Sequence, residues 1–212
     1  MKRNSVFAVI LACVLCLITG CTSTSNVPPP TIEPTPVVTV QPTESPTETP
    51  VSELTVHFID VGQADAAVLQ CGDDTMMIDG GNVADSSLIV AYLKKLNIDN
   101  IDYMVCTHAH EDHVGGLSAP LSVMPVSAVY APSAEADSKA YQNFKRKAAD
   151  QNTEIMHPEN YESFPFGSAR VEILACPNNA DNLNNTSIIL KVTHKNKSFL
   201  FTGDAEREEE QT

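Results

Sequence analysis

The sequence predicts an α/β domain over residues 53–212, preceded by two segments that belong to no core. Short apolar, β-branched runs alternate with helix-period segments from Leu54 onward. Residues 1–20 have the charge and hydropathy of an export signal, and residues 21–52 are too rich in proline and threonine to pack.

The domain opens with three strands, Leu54–Val61, Ala66–Gln70 and Thr75–Ile78, the last two separated by the turn residues Gly72-Asp73-Asp74. A helix over Ser86–Leu96 puts Leu88, Ile89, Leu93 and Leu96 on one face. Ile101 to Cys106 then reads as a buried strand ending at Thr107, followed by a helix over Gly116–Val123. Val126–Tyr130 is a strand, and Asp137–Gln151 a polar helix carrying Lys139, Lys145, Arg146 and Lys147. Further strands cover Thr153–Met156, Ala169–Leu174, Ser187–Val192 and Ser198–Thr202, the last two joined as a hairpin through Lys195-Asn196-Lys197.

Lys2 and Arg3 precede an apolar run from Val6 to Ile18, which is short for a membrane span and suits the middle of a signal peptide. Ile18-Thr19-Gly20-Cys21 resembles the bacterial lipobox, which implies a lipidated Cys21 and a domain tethered at the extracellular face of the bacterial cell membrane. A plain secretory peptide or an uncleaved anchor is the alternative. Eight of the 14 prolines lie between Pro28 and Pro50, so residues 21–52 form a semi-rigid spacer. Cys71, Cys106 and Cys176 remain in the domain; three cannot all pair, and Cys106 reads as a small buried hydrophobe.

The net charge of −14 becomes two units more negative once Lys2 and Arg3 leave with the signal peptide. Such a field opposes tight nonspecific binding of polyanions, which needs a basic face; the helix near Lys145 is the one local exception.

The chemistry concentrates in Thr107-His108-Ala109-His110-Glu111-Asp112-His113, three of six histidines and two carboxylates in seven residues at a strand's C-terminal end. In extended backbone His108 and His110 share a face and can converge on one cation. Gly115 and Gly116 permit a tight turn that bends Asp112 and His113 toward a neighbouring one. Imidazole with carboxylate suits zinc, manganese or iron.

His108, His110, Asp112 and His113 match the pattern His-x-His-x-Asp-His, and the chain here resembles the metallo-β-lactamase superfamily over about residues 54–204. Four segments place the resemblance nearer the branch that includes the competence protein ComEC/Rec2 and the phosphorylcholine esterase: Phe58-Ile59-Asp60-Val61-Gly62-Gln63-Ala64-Asp65-Ala66, Ile78-Asp79-Gly80-Gly81, Asn184-Asn185-Thr186-Ser187 and Phe201-Thr202-Gly203-Asp204. The resemblance implies an αββα sandwich with its C-terminal part missing. It also implies two divalent ions, zinc first, with His108 and His110 on one, Asp112 and His113 on the other and Asp204 bridging them. Asp112 and Asp79 are the candidate catalytic carboxylates, Asp79 acting by orienting the histidine loop. Asn184, Asn185 and Ser187 either touch a ligand or form a polar turn, while His157 and His194 read as surface loop positions.

Two departures stand out. Ala64 occupies a position where most relatives carry glycine; a positive φ there would strain the loop and weaken the assignment of Asp65 to the site. The last metal-ligating histidine of the superfamily has no counterpart before Thr212. The function implied is a secreted, membrane-anchored hydrolase that cleaves phosphodiester bonds with a metal-activated water. The substrate is a small molecule, nucleic acid or wall polymer, and no protein partner is implied. The alternative is a catalytically silent metal-binding or interaction module at the cell surface.

Overall fold

The computed structural model describes residues 51–177 and 182–207. The expected signal peptide, Cys21 and all but the last two residues of the expected spacer lie outside them. Six strands form a first sheet in chain order: β1 (Leu54–Phe58), β2 (Ala66–Cys71), β3 (Asp74–Gly80), β4 (Ile101–Val105), β5 (Val126–Tyr130) and β6 (Ile155–Met156). β1, β2 and β3 are antiparallel, whereas β3 to β6 run parallel and are joined by helical crossovers. Those crossovers hold α1 (Ser86–Lys95), α2 (Glu111–Val114), α3 (Pro120–Val123) and α4 (Lys139–Asp150). A second, antiparallel sheet has the order β10-β9-β8-β7, from β7 (Ser163–Phe166), β8 (Ala169–Ala175), β9 (Ile189–His194) and β10 (Lys197–Phe201).

Period-two alternation explains why the central strands read as continuous apolar runs. Val68, Met77 and Met104 point to the helices, while Leu69, Met76, Ile78 and Val105 point to the second sheet, so both faces are buried. On the helical side α1 contributes Ile89 and Leu93, and α4 contributes Ala140, Tyr141, Phe144 and Ala148, a stripe of helical period. Between the sheets lie Phe166, Val171, Ile173, Leu190 and Val192, with no helical residue among them. The described residues therefore form an α/β/β stack, three layers of the expected αββα sandwich.

Several elements differ from the sequence expectation. β1 stops at Phe58, because Ile59 to Asp65 leave the sheet in a loop closed by the Ile59 N–H donating to Ala66 O. Leu88 is 43% exposed, since the buried stripe of α1 runs through Ile89 and Leu93 alone. The β6 strand keeps only two of its four expected residues. β7 was not expected, for it contains Pro165; an edge strand tolerates the missing N–H. The second-to-last strand starts at Ile189 and runs to His194, leaving Lys195-Asn196 as a two-residue hairpin turn.

The segment after the histidines departs most. The chain is already helical at Glu111 and continues as a 3-10 turn over Gly115–Ser118, and Pro120, lacking an N–H, starts α3. Gly115 and Gly116 make no tight turn. They let this helix lie directly on the backbone after β3, where a Cβ at Gly116 would stand 1.9 Å from Gly80 O. Gly116→Ala should destabilise the domain by about 1–3 kcal/mol or more through overpacking. Chemical denaturation should show it, together with a matching loss of metal binding.

Candidate metal centre

The site lies where strands β3 and β4 end against the end of β10. Asp79, the penultimate residue of β3, sits at φ 55, a conformation uncommon for a non-glycine residue but tolerated by aspartate. That turn of the backbone sends its carboxylate, 2% exposed, beneath the histidine loop. Oδ1 accepts the Thr107 N–H at 2.8 Å, and Oδ2 accepts the Thr107 hydroxyl at 2.6 Å and His113 Nδ1–H at 2.9 Å. His108 Nδ1 lies 3.3 Å from the same Thr107 oxygen. Asp79 thus holds His113 directly and His108 through Thr107, which leaves both Nε2 atoms facing away from it. With both oxygens engaged and buried, Asp79 is a positioning residue.

His110 is the extended residue before α2, and its Nδ1 is 3.0 Å from His108 Nε2. His113 Nε2 stands 3.3 Å from Asp204 Oδ1. The ligating atoms of His108, His113 and Asp204 lie within 4.8 Å of one another, as do those of Asp65, Asp79 and His113. Asp112 stands outside both groups, its Oδ2 accepting from Gln63 Nε2 at 3.3 Å. Asp204 reaches the histidines because Gly203, at φ 50, has no Cβ to meet Thr107 Oγ1 at 2.8 Å.

These donors fit a divalent cation. Two imidazole nitrogens on one tetrahedral zinc stand about 3.3 Å apart, close to the His108–His110 separation. Once His113 Nδ1 donates to Asp79, its Nε2 and the Asp204 oxygen are two acceptors face to face, an arrangement that calls for a proton or a metal between them.

Without metal the electrostatics separate the two buried histidines. Burial and the adjacent charge of His113 push His108 down to about 4, against the pull of Asp79. Burial also opposes charge on His113, but the hydrogen bond and charge of Asp79, with Asp204 and Asp112, outweigh it and push His113 up to about 9. Burial and the nearby Asp79 raise the Cys106 thiol well above its ordinary range, and it donates to His108 O at 3.0 Å. It therefore braces the loop as a protonated donor.

Other residues singled out in the sequence take different places. Ser187 Oγ donates to Asn184 O at 2.6 Å and lies 3.5 Å from His108 Nδ1. Asn185 Oδ1 accepts the Glu206 N–H, and the amides of Asn182 and Asn184 donate to Glu206 Oε1. The asparagines thus tie down the chain just beyond Asp204. His157 Nδ1 donates to Ala131 O, and His194, the last residue of β9 and not a loop residue, contacts Ser52 O; neither joins the metal groups. Sequence reading assigned no role to Gln63 or Glu206, whose partners are 49 and 21 or more residues distant. Ala64 is absent from the residues with positive φ, so alanine does not strain its loop.

The pattern of the Metallo-beta-lactamase superfamily matches residues 59–212. The chain belongs to the metallo-β-lactamase superfamily. It is 24% identical to ComE operon protein 3 of Bacillus subtilis (strain 168) over an alignment of 180 positions, which covers 76% of this chain and 23% of that one. Among solved structures it resembles metallo-β-lactamase SMB-1 bound to 2-mercaptoethanesulfonate (TM-score 0.51, 20% identity, 69% of this chain and 60% of that one). It also resembles the MIM-2 metallo-β-lactamase (0.50, 14%, 72% and 58%). The chain spans under two thirds of each of these proteins, and at such identities the likeness shows the fold alone. Metallo-β-lactamase superfamily members bind divalent metal ions, and the clustered donors here are candidate ligands.

The two histidines set opposite limbs in the stability of the metal-free protein. His113, raised above 6.5, contributes fully below pH 6.5 and loses its contribution as pH rises through about 9. His108, lowered, costs stability as pH falls from 6.5 toward about 4. Thermal melts of metal-free protein should peak near pH 6.5, and Asp79→Asn should flatten the alkaline limb. A melting temperature independent of pH between 4 and 9 would contradict this charge assignment.

Proposed function

We propose that this protein is a secreted, lipid-anchored, metal-dependent hydrolase that cleaves phosphodiester bonds with the help of two divalent ions, zinc first, manganese or iron as alternatives. The observation that carries the reading is the convergence of His108, His113 and Asp204 within 4.8 Å, with Asp79 behind them. Ions bound there supply Lewis acidity that polarises a phosphoryl oxygen and lowers the pKa of water. His108, His110, Asp112, His113 and Asp204 hold them. Asp79 retains the proton of His113 Nδ1 so that Nε2 is presented as a ligand. The buried histidines close the protein side of the site, while Asp204, 40% exposed, marks its open side.

The resemblance to the competence-protein and phosphorylcholine esterase branch supports the phosphodiester class, and the charges say when such a substrate can enter. Asp65, Asp79, Asp112 and Asp204 surround His113, so an anionic phosphodiester meets repulsion until the ions are in place. The chain's negative charge opposes long polyanions and so favours a small phosphodiester.

Zinc- or manganese-reconstituted protein should hydrolyse bis(p-nitrophenyl) phosphate, and His108→Ala should lower the rate at least about tenfold. His110→Ala and Asp112→Ala should lower metal occupancy. Fewer than one bound ion per intact folded chain would refute the hydrolase, and two bound ions without His108-dependent turnover would favour the silent module. The anchor is tested separately: Cys21→Ser should move the protein from the membrane fraction to the soluble one, and an unmodified mature Cys21 would refute lipidation.

A further inference from the structure

The loop between β1 and β2 carries two aspartates with different surroundings. Asp60 has a local task, its Oδ1 accepting the Gly62 N–H at 3.2 Å as the chain turns. Asp65 has none: among the described residues its carboxylate accepts no hydrogen bond. Its backbone is nevertheless fixed on both sides, its N–H donating to Asp112 O at 3.2 Å and its carbonyl accepting from Gly81 N–H at 2.8 Å. Asp65 is thereby stitched to the two segments that carry the candidate site, α2 and the end of β3. Its side-chain oxygen falls within 4.8 Å of ligating atoms of both His113 and Asp79. Both Asp79 oxygens are already taken by Thr107 and His113, so Asp79 has nothing to offer Asp65 except like charge. In the metal-free protein partial burial and the like charges of Asp79, Asp204 and Asp112 disfavour the Asp65 carboxylate, against the pull of His113. A divalent cation beside His113 reverses the sign of that interaction.

We propose that Asp65 is a further ligand of the divalent-ion centre, added to His108, His110, Asp112, His113 and Asp204. The inference rests on the two-ion reading above and deepens it. It accounts for the backbone bonds that hold this exposed aspartate beside His113. It also makes a thermodynamic demand that separates a ligand from a structural residue: removing the charge should relieve the metal-free protein and weaken the metal-bound one.

The experiment titrates Zn2+, and Co2+ as a spectroscopic probe, into the metal-free full chain as wild type, Asp65→Asn and Asp65→Glu. Asp65→Asn should lower the affinity of at least one ion by about tenfold or more and alter the Co2+ absorption spectrum. It should leave the metal-free melting temperature unchanged or higher while shrinking the rise that zinc produces. Asp65→Glu, which keeps the carboxylate, should recover part of the affinity. Wild-type affinity and spectrum in Asp65→Asn would overturn the assignment while leaving the hydrolase reading intact. An equal fall in the metal-free and zinc-loaded melting temperatures would overturn it too, showing a structural aspartate. No ion bound to the folded wild type would overturn both readings.

Discussion

The buried carboxylate of Asp79 is the contact on which the rest of the site depends. It receives the Thr107 N–H, the Thr107 hydroxyl and His113 Nδ1–H, and through Thr107 it reaches His108. One side chain, at a backbone conformation that few residues accept, sets the ring orientation of two histidines five residues apart. Desolvating an aspartate this completely is costly unless its oxygens are filled, and here three donors fill them. The same contact ties the end of β3 to the loop after β4. The neighbouring parallel strands therefore deliver their C-terminal ends to one point.

Packing around that point is correspondingly tight. The helix that follows the histidines rests on the backbone of Gly80 to Val83 with no room for a side chain at Gly115 or Gly116. From the other sheet, the Ile188 N–H donates to Thr107 O at 2.9 Å, which fastens the start of β9 to the same residue that Asp79 holds. Gly203 brings Asp204 in over Thr107, and the asparagines before β9 hold Glu206 two residues beyond it. The two sheets are thus joined by polar contacts at the candidate metal centre, and between them lies an apolar layer that includes Phe166, Ile173 and Leu190.

Charge in the centre is unbalanced without metal. Asp65, Asp79, Asp112 and Asp204 surround His113, and their combined field overcomes its burial and keeps it protonated, while His108, more deeply buried and beside that charge, is kept neutral. A cation held by His113 Nε2, as proposed, would displace that proton.

From the sequence alone the α/β class, most strand positions, the histidine cluster and the family resemblance were legible, because period-two and helical patterns and closely spaced ligands are local properties of the chain. The short helix through Glu111, the edge strand containing Pro165 and the role of the paired glycines were not. Each depends on which backbone lies opposite, and Gly116 reads as a turn until Gly80 is seen against it. The same holds for Gln63 on Asp112, for the asparagines on Glu206 and for Asp65 beside His113: their partners are distant in sequence. The chain's chemistry was written in residues 107–113, but its geometry was decided by β3, β9 and β10. A carboxylate can orient an imidazole only across a hydrogen-bond distance, and tertiary folding alone brings distant segments that close.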